Sequence, residues 1–219
     1  MRRIIIILCL TIMSAITVTA SDPIDMLREG DILFQASAPS EFSDAILSAT
    51  ARDTLNFTHT GIFALVDGRP SVIEAVPSKG VTVTPAEEFV RESTVILAMR
   101  LDAPDDTALA RTAAREALKL AGRPYDRRFA EGDSAVYCSE LVQLAYRRAA
   151  GDINAEDIFP SVAMNFRAPD GSMPDYWIEH FKQEGCPIPQ GTPGTNPNSI
   201  AASPRLTEVF RITATPKPE

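Results

Sequence analysis

The sequence predicts an α+β fold in which an antiparallel sheet packs against helices. Three observations predict it. Short β-branched and aromatic runs follow one another between residues 57 and 101, without the helices that a parallel βαβ alternation inserts. Asp67-Gly68, between two of these runs, is a tight-hairpin signal. Helical spacing then dominates from residue 105 to residue 184.

The elements are read in chain order. Gly30 to Gln35 is a short buried strand. Ser40 to Ala49 carries Phe42, Ala45, Ile46 and Ala49 at helical spacing, with Ser40 as N-cap. Phe57 to Val66 and Ser71 to Val76 are the hairpin arms. Val81 to Thr84 and Thr94 to Leu101 are further strands, separated by a turn or two of helix over Pro85 to Arg91. Asp105 caps a helix whose stripe is Leu109, Ala113, Ala117 and Leu120, and Gly122 stops it. Cys138 to Ala150 and Met173 to Glu184 are two more helices, the last carrying Trp177. Residues 185 to 204 are rich in Pro, Gly, Thr, Asn and Ser and read as an irregular surface segment. Leu206 to Ile212 is a last strand.

The chain has 219 residues, 45% hydrophobic and 23% charged, which fits one globular domain and excludes disorder throughout. Acidic residues outnumber basic ones, 29 to 21, for a net charge of -8. That balance argues against a nucleic-acid binder, which needs a basic face. Three cysteines and two histidines are too few for a zinc-finger array or a disulfide scaffold.

Residues 1–20 read as a signal peptide: Arg2-Arg3, an apolar run from Ile4 to Met13, then small residues before Ser21. The apolar run is short of the roughly 20 residues of a membrane span. Cleavage leaves residues 21–219 as one periplasmic or secreted domain with no stable membrane span. The loss of two arginines moves its charge from -8 to -10. Two cysteines remain, Cys138 and Cys186, and outside the cytosol such a pair can be a disulfide.

The hairpin has a register that can be worked out. A two-residue loop at Asp67-Gly68 pairs Val66 with Arg69 and therefore Gly61 with Glu74. His59 and Glu74 then lie on one face as diagonal neighbours, about 7–8 Å apart at the backbone. A four-residue loop keeps them on one face; a three-residue loop separates them. Gly61 leaves room for a side chain to lean across. A carboxylate beside an imidazole fixes its tautomer and stabilises the imidazolium. A surface glutamate near a hydrogen-bonded core histidine accounts for the same spacing.

Cys138 opens a helix, where unpaired backbone N–H groups and the positive end of the dipole favour thiolate. Its own N–H is placed to stabilise a tetrahedral oxyanion. With an imidazole added, the pair is an activated nucleophile and base. The alternatives are a buried structural thiol and a Cys138–Cys186 disulfide. His180, after Tyr176 and Trp177 on a helix, is the competing imidazole and reads as flanking an apolar face.

Five segments stand in one order: Gly30 to Gln35, Phe57 to Ile62 around His59, Val72 to Val76 around Glu74, Gly122-Arg-Pro-Tyr-Asp126, and Tyr137-Cys-Ser-Glu-Leu-Val142. Over roughly residues 25–150 the chain resembles the YiiX/YaeF-like permuted papain-fold amidases, a branch of the NlpC-type hydrolases. The resemblance implies a circularly permuted papain-like fold, with the histidine strand ahead of the cysteine helix. It implies Cys138 as nucleophile, His59 as general base and then acid, and Glu74 orienting His59. The reaction it implies is amide hydrolysis or acyl transfer through a thioester, with cell-wall peptides among the candidate substrates. Tyr125 matches an element beside the active site of NlpC-type relatives. Gln35 and Tyr137 are weaker substrate-binding candidates.

Two other readings stay open. On the same fold the substrate is a lipid or lipid amide, with residues 151–204 as a substrate-side elaboration. In that case Ile153, Ile158, Phe159, Met164, Phe166 and Met173 form an apolar groove. Alternatively the chain is a non-catalytic binding module stapled by Cys138 and Cys186. No cofactor is expected, and no recognised spacing makes His59, Glu74 and Cys138 a metal site. The oligomeric state is not legible.

Overall fold

The computed structural model describes residues 22–52, 54–93, 95–102, 106–130, 132, 134–151 and 158–213. The signal segment, the Asp105 cap and Ile153 lie outside these residues. Eight strands are described: β1 (Ile32–Gln35), β2 (His59–Val66), β3 (Arg69–Val76), β4 (Gly80–Pro85), β5 (Val95–Leu101), β6 (Val162–Ala163), β7 (Pro193–Gly194) and β8 (Leu206–Thr213). Six form one sheet in the order β4-β3-β2-β1-β5-β8, every neighbouring pair antiparallel. β6 and β7 make a separate ribbon. The helices are α1 (Glu41–Thr50), α2 (Ala86–Arg91), α3 (Asp106–Leu118), α4 (Cys138–Ala150), α5 (Asp175–Gln183) and α6 (Pro197–Ala201).

The sheet is buried on both faces because its strands alternate apolar residues into two cores. Ile62, Ala64, Ile73 and Leu97 pack against Ala113 and Ala117 of α3 and Leu141 and Val142 of α4. Leu33, Phe63, Val72 and Ile96 face Phe89 of α2 and Leu27. A third, mostly aromatic cluster joins α1 and α5 through Ala45, Phe129, Tyr137, Phe166, Trp177 and Phe181.

Local chemistry sets the element ends. Ser40 and Ser43 exchange backbone-to-hydroxyl hydrogen bonds at the start of α1, 3.1 and 2.8 Å long. Asp67 and Gly68 have φ of 51° and 74°, the two positive values that a two-residue hairpin turn requires. α3 ends at Leu118, earlier than Gly122, because residues 119–122 tighten into turns instead of continuing the helix. Gly122 N then donates to Val81 O and Val81 N to Arg123 O, both at 2.8 Å, so this loop covers the free edge of β4.

Residues 185–204 depart from the surface segment expected. Thr195, Asn198, Ile200 and Ala201 are buried. Asn198 replaces strand pairing for a stretch of backbone just ahead of β2. Its Oδ1 accepts from Phe57 N at 2.8 Å, and its Nδ2 donates to Phe57 O at 3.0 Å. The residues named for an apolar groove over 151–204 are divided between two clusters. Ile158 and Phe159 join the core under the sheet, while Met164, Phe166 and Met173 join the aromatic cluster. No helix among the described residues is long and apolar enough to cross a membrane.

Candidate active site

The register worked out from the turn is the one found: Gly61 pairs with Glu74 and Val66 with Arg69. His59 is the first residue of β2 and Cys138 the first of α4, so both project at element ends. Gly61 supplies the space between His59 and Glu74. A Cβ there would lie 2.5 Å from Val72 Cγ1 and 3.2 Å from Glu74 Cβ.

His59 Nε2 and Glu74 Oε2 are 2.5 Å apart. Glu74 is 3% exposed, so this carboxylate has little water to compete with its partners. Its second oxygen accepts from Thr84 Oγ1, also at 2.5 Å. Thr84 is the residue that sequence reasoning missed. Glu74 pairs with Thr82, so Thr84 is its diagonal neighbour on β4 as His59 is on β2. The β3–β4 loop has three residues, Pro77-Ser78-Lys79, and no Asp-Gly or Asn-Gly pair to mark it, so its register is not legible in the same way. Phe89 closes one side of the imidazole, with ring centroids 5.9 Å apart.

Burial disfavours the charged ring of His59. Hydrogen bonds to Cys138 and Glu74, and the charges of both, outweigh it and push His59 up to about 10. Burial likewise penalises the charged carboxylate of Glu74, yet the His59 hydrogen bond and charge, with Thr84, hold it below its ordinary value. Glu74 engages Nε2, and Cys138 lines the same cleft as the ring. Cys138 is 6% exposed, and Glu140 Oε1 steadies the turn ahead of it by accepting from Gly132 N at 3.0 Å.

Cys138, His59 and Glu74 line one cleft of about 370 Å³ with Gln35 and Tyr125. Gln35 pairs directly with His59 across β1 and β2 and is 4% exposed. Tyr125 stands close enough to Cys138 that burial first, then the thiol's charge, hold its phenol well above the ordinary value. Tyr137 is placed differently. Its hydroxyl accepts from Thr195 N at 3.1 Å, its ring belongs to the aromatic cluster, and it does not line this cleft.

His180 does not line the cleft either. Its Nε2 donates to Arg127 O at 2.6 Å, and its ring stacks on Tyr176. Cys138 and Cys186 are both free thiols, so the disulfide that would staple a binding module is not formed.

Known proteins resemble this chain over most of its length. A relative from Escherichia coli strain K12, an uncharacterised protein called YiiX, is 29% identical over 186 residues, covering 84% of this chain and 86% of its own. A crystal structure of YiiX from Escherichia coli O157:H7, described as a metalloprotein, superposes with a TM-score of 0.69 at 26% identity. It covers 84% of this chain and 96% of that one. Among the described residues here, no group of three or more His, Cys, Asp or Glu is placed to hold a metal ion. Residues 26–210 match the family described as permuted papain-like amidase enzyme, YaeF/YiiX, C92 family. The chain therefore belongs to the YaeF/YiiX family of permuted papain-like amidases.

Proposed function

We propose that this chain is an exported cysteine amidase or peptidase that cleaves an amide bond through a thioester on Cys138. The observation that carries the reading is the buried Glu74–His59 contact of 2.5 Å in the cleft that Cys138 also lines. The order of residues 1–20, basic then apolar then small, supports export to the periplasm or the medium.

Cys138 acts as thiolate at the helix start, beside the His59 imidazolium. Its sulfur adds to the amide carbonyl carbon, and the carbonyl electron pair moves to oxygen. The oxyanion is met by the N–H of Cys138, one of the helix-start donors without a partner inside the helix, and by the side-chain amide of Gln35. As the C–N bond breaks, His59 gives its proton to the leaving nitrogen, releasing the amine and a thioester. The neutral ring then takes a proton from a water that adds to the thioester. Collapse releases the acid and restores the thiolate and imidazolium. Glu74 holds the ring in place throughout, and Tyr125 lines the approach.

Cys138→Ala tests the reading. Wild-type protein should alkylate with iodoacetamide at Cys138 at neutral pH and carry the mass of an acyl group when mixed with a peptide amide. The variant should do neither and should lose hydrolysis entirely. An inert Cys138 together with undiminished hydrolysis by the variant would refute it.

A further inference from the structure

One charged group of the cleft has no part in the chemistry above. Glu92 lines it together with Cys138, His59 and Glu74. Among the described residues no lysine or arginine lines it, and the His59 imidazole is already paired with Glu74. Glu92 is exposed, and among the described residues its carboxylate makes no ion pair or hydrogen bond. The cleft therefore carries an unanswered negative charge and no unanswered positive one.

Local structure does not account for an acid at this position. Glu92 is the C-cap of α2, its N–H donating to Glu88 O at 3.1 Å. A helix C-terminus favours a cation, so a carboxylate here adds to the negative end of the helix. Its place is nevertheless fixed. The next residue, Ser93, accepts through Oγ from Val95 N at 3.2 Å and donates to Ala36 O at 2.5 Å. Ala36 leads into Ser37 and Ala38, which also line the cleft. The end of α2 is thereby tied to the loop between β1 and α1.

The surroundings have the same sign. Glu41, Asp44, Asp175 and Glu179 line a neighbouring depression between α1 and α5, and its one arginine, Arg127, is 2.5 Å from Glu184. Such a field draws cations and repels anions. Ser37, Ser40 and Thr58 add hydroxyl oxygens to the cleft wall, which can accept from N–H donors. We propose that Glu92 is a specificity residue that binds a primary ammonium group of the substrate. The substrate class is an amide that carries a protonated amine near the scissile bond. A phosphate or carboxylate in that place is repelled. The proposal deepens the amidase reading and rests on it for its substrate, but the charge preference of the cleft can be read on Cys138 without turnover.

Three alkylating agents of different charge are reacted with Cys138 and followed by mass: 2-bromoethylammonium, iodoacetamide and iodoacetate. In Glu92→Gln the rate of the cation relative to iodoacetamide should fall about two- to fivefold, the size expected of an exposed ion pair. The relative rate of the anion should rise by about the same factor. Glu88→Gln removes an exposed acid of the same helix that does not line the cleft, and should leave both ratios within about 1.5-fold. Turnover then places the amine. Alanine p-nitroanilide against its N-acetyl derivative carries it on the acyl side. The N-acetylalanine amides of ethylenediamine and propylamine carry it, or lack it, on the leaving side. Wild type should favour the amine-bearing member of one pair in kcat/KM, and Glu92→Gln should lose that preference. Unchanged alkylation ratios in Glu92→Gln, or the same change in Glu88→Gln, overturn the proposal. So does equal turnover within both pairs, and where neither pair is hydrolysed the alkylation ratios decide. If the ratios change as expected while Cys138→Ala hydrolyses as fast as wild type, the ammonium site stands and the thiol mechanism falls.

Discussion

Glu74→Gln removes one negative charge from beside His59 while leaving a side chain of the same shape. Glu74 accepts from His59 through one oxygen and from Thr84 through the other. The amide has one oxygen for both tasks. With that oxygen kept on His59, its NH₂ faces the Thr84 hydroxyl, which turns to accept. The variant therefore folds with its hydrogen bonds made and its charge gone. A hydrogen bond to a charged group contributes about 1.5–3 kcal/mol. The loss should lower His59 by roughly 1–2 pKa units, from about 10 to about 8–9. If the same energy is lost in the transition state, kcat/KM falls about 10- to 150-fold. The chain has only two histidines, so imidazole C–H signals can be followed through a pH titration by NMR. The rate of Cys138 alkylation against pH gives a second reading of the same proton. Stability moves in a defined window as well. The raised His59 stabilises the fold fully below its unfolded value near 6.5, and this is lost as pH rises through about 10. Glu74 is held low, so its contribution is present above its unfolded value near 4.5 and lost as pH falls through the lower folded one. The wild-type Tm should therefore decline between about pH 6.5 and 10, and less steeply in Glu74→Gln. An unchanged His59 titration, with kcat/KM within threefold of wild type, would refute the reasoning.

Other substitutions probe the supports of the site. Thr84→Val removes a neutral donor to Glu74 and should slow hydrolysis roughly 2- to 10-fold with the fold intact, measured as kcat/KM against Tm. Gly61→Ala puts a Cβ 2.5 Å from Val72 Cγ1 and 2.9 Å from Ile73 O, so denaturant unfolding should show a loss of about 1–3 kcal/mol. Asn198→Ala orphans the N–H and C=O of Phe57 and should cost about 2–4 kcal/mol. It should also raise hydrogen exchange at Phe57 and its neighbours before the rest of the sheet opens.

The parts of the site that could be read in the sequence are those governed by short-range rules. Asp67-Gly68 admits only a turn with two positive φ values, so one loop length determines which face His59 and Glu74 share. A helix that begins at Cys138 is legible because Leu141, Leu144 and Ala145 repeat at its period, and α4 begins at that residue. Asn198 and Trp177 mark where such rules stop. Asn and Pro around residue 198 have the composition of a surface loop, and the same residues serve equally to satisfy buried backbone when packing brings it near. Only the tertiary fold brings Asn198 to Phe57, a partner 141 positions away. The apolar residues of 158–166 and of α5 were visible one by one. What hid was their division between two cores, because periodicity gives the buried face of a helix and not what covers it.

The Asn198 clamp also sets an order of events. A chain emerging from its N-terminus carries the imidazole and its carboxylate first, then the thiol, and the residue that pins the backbone ahead of His59 sixty positions later. These three side chains are thus all present in a nascent chain before the segment bracing the backbone ahead of His59 exists. A product cut short ahead of residue 198 would keep His59, Glu74 and Cys138 and lose the brace. The segment around Asn198 acts in this way as a latch on the candidate site built from the first two-thirds of the chain.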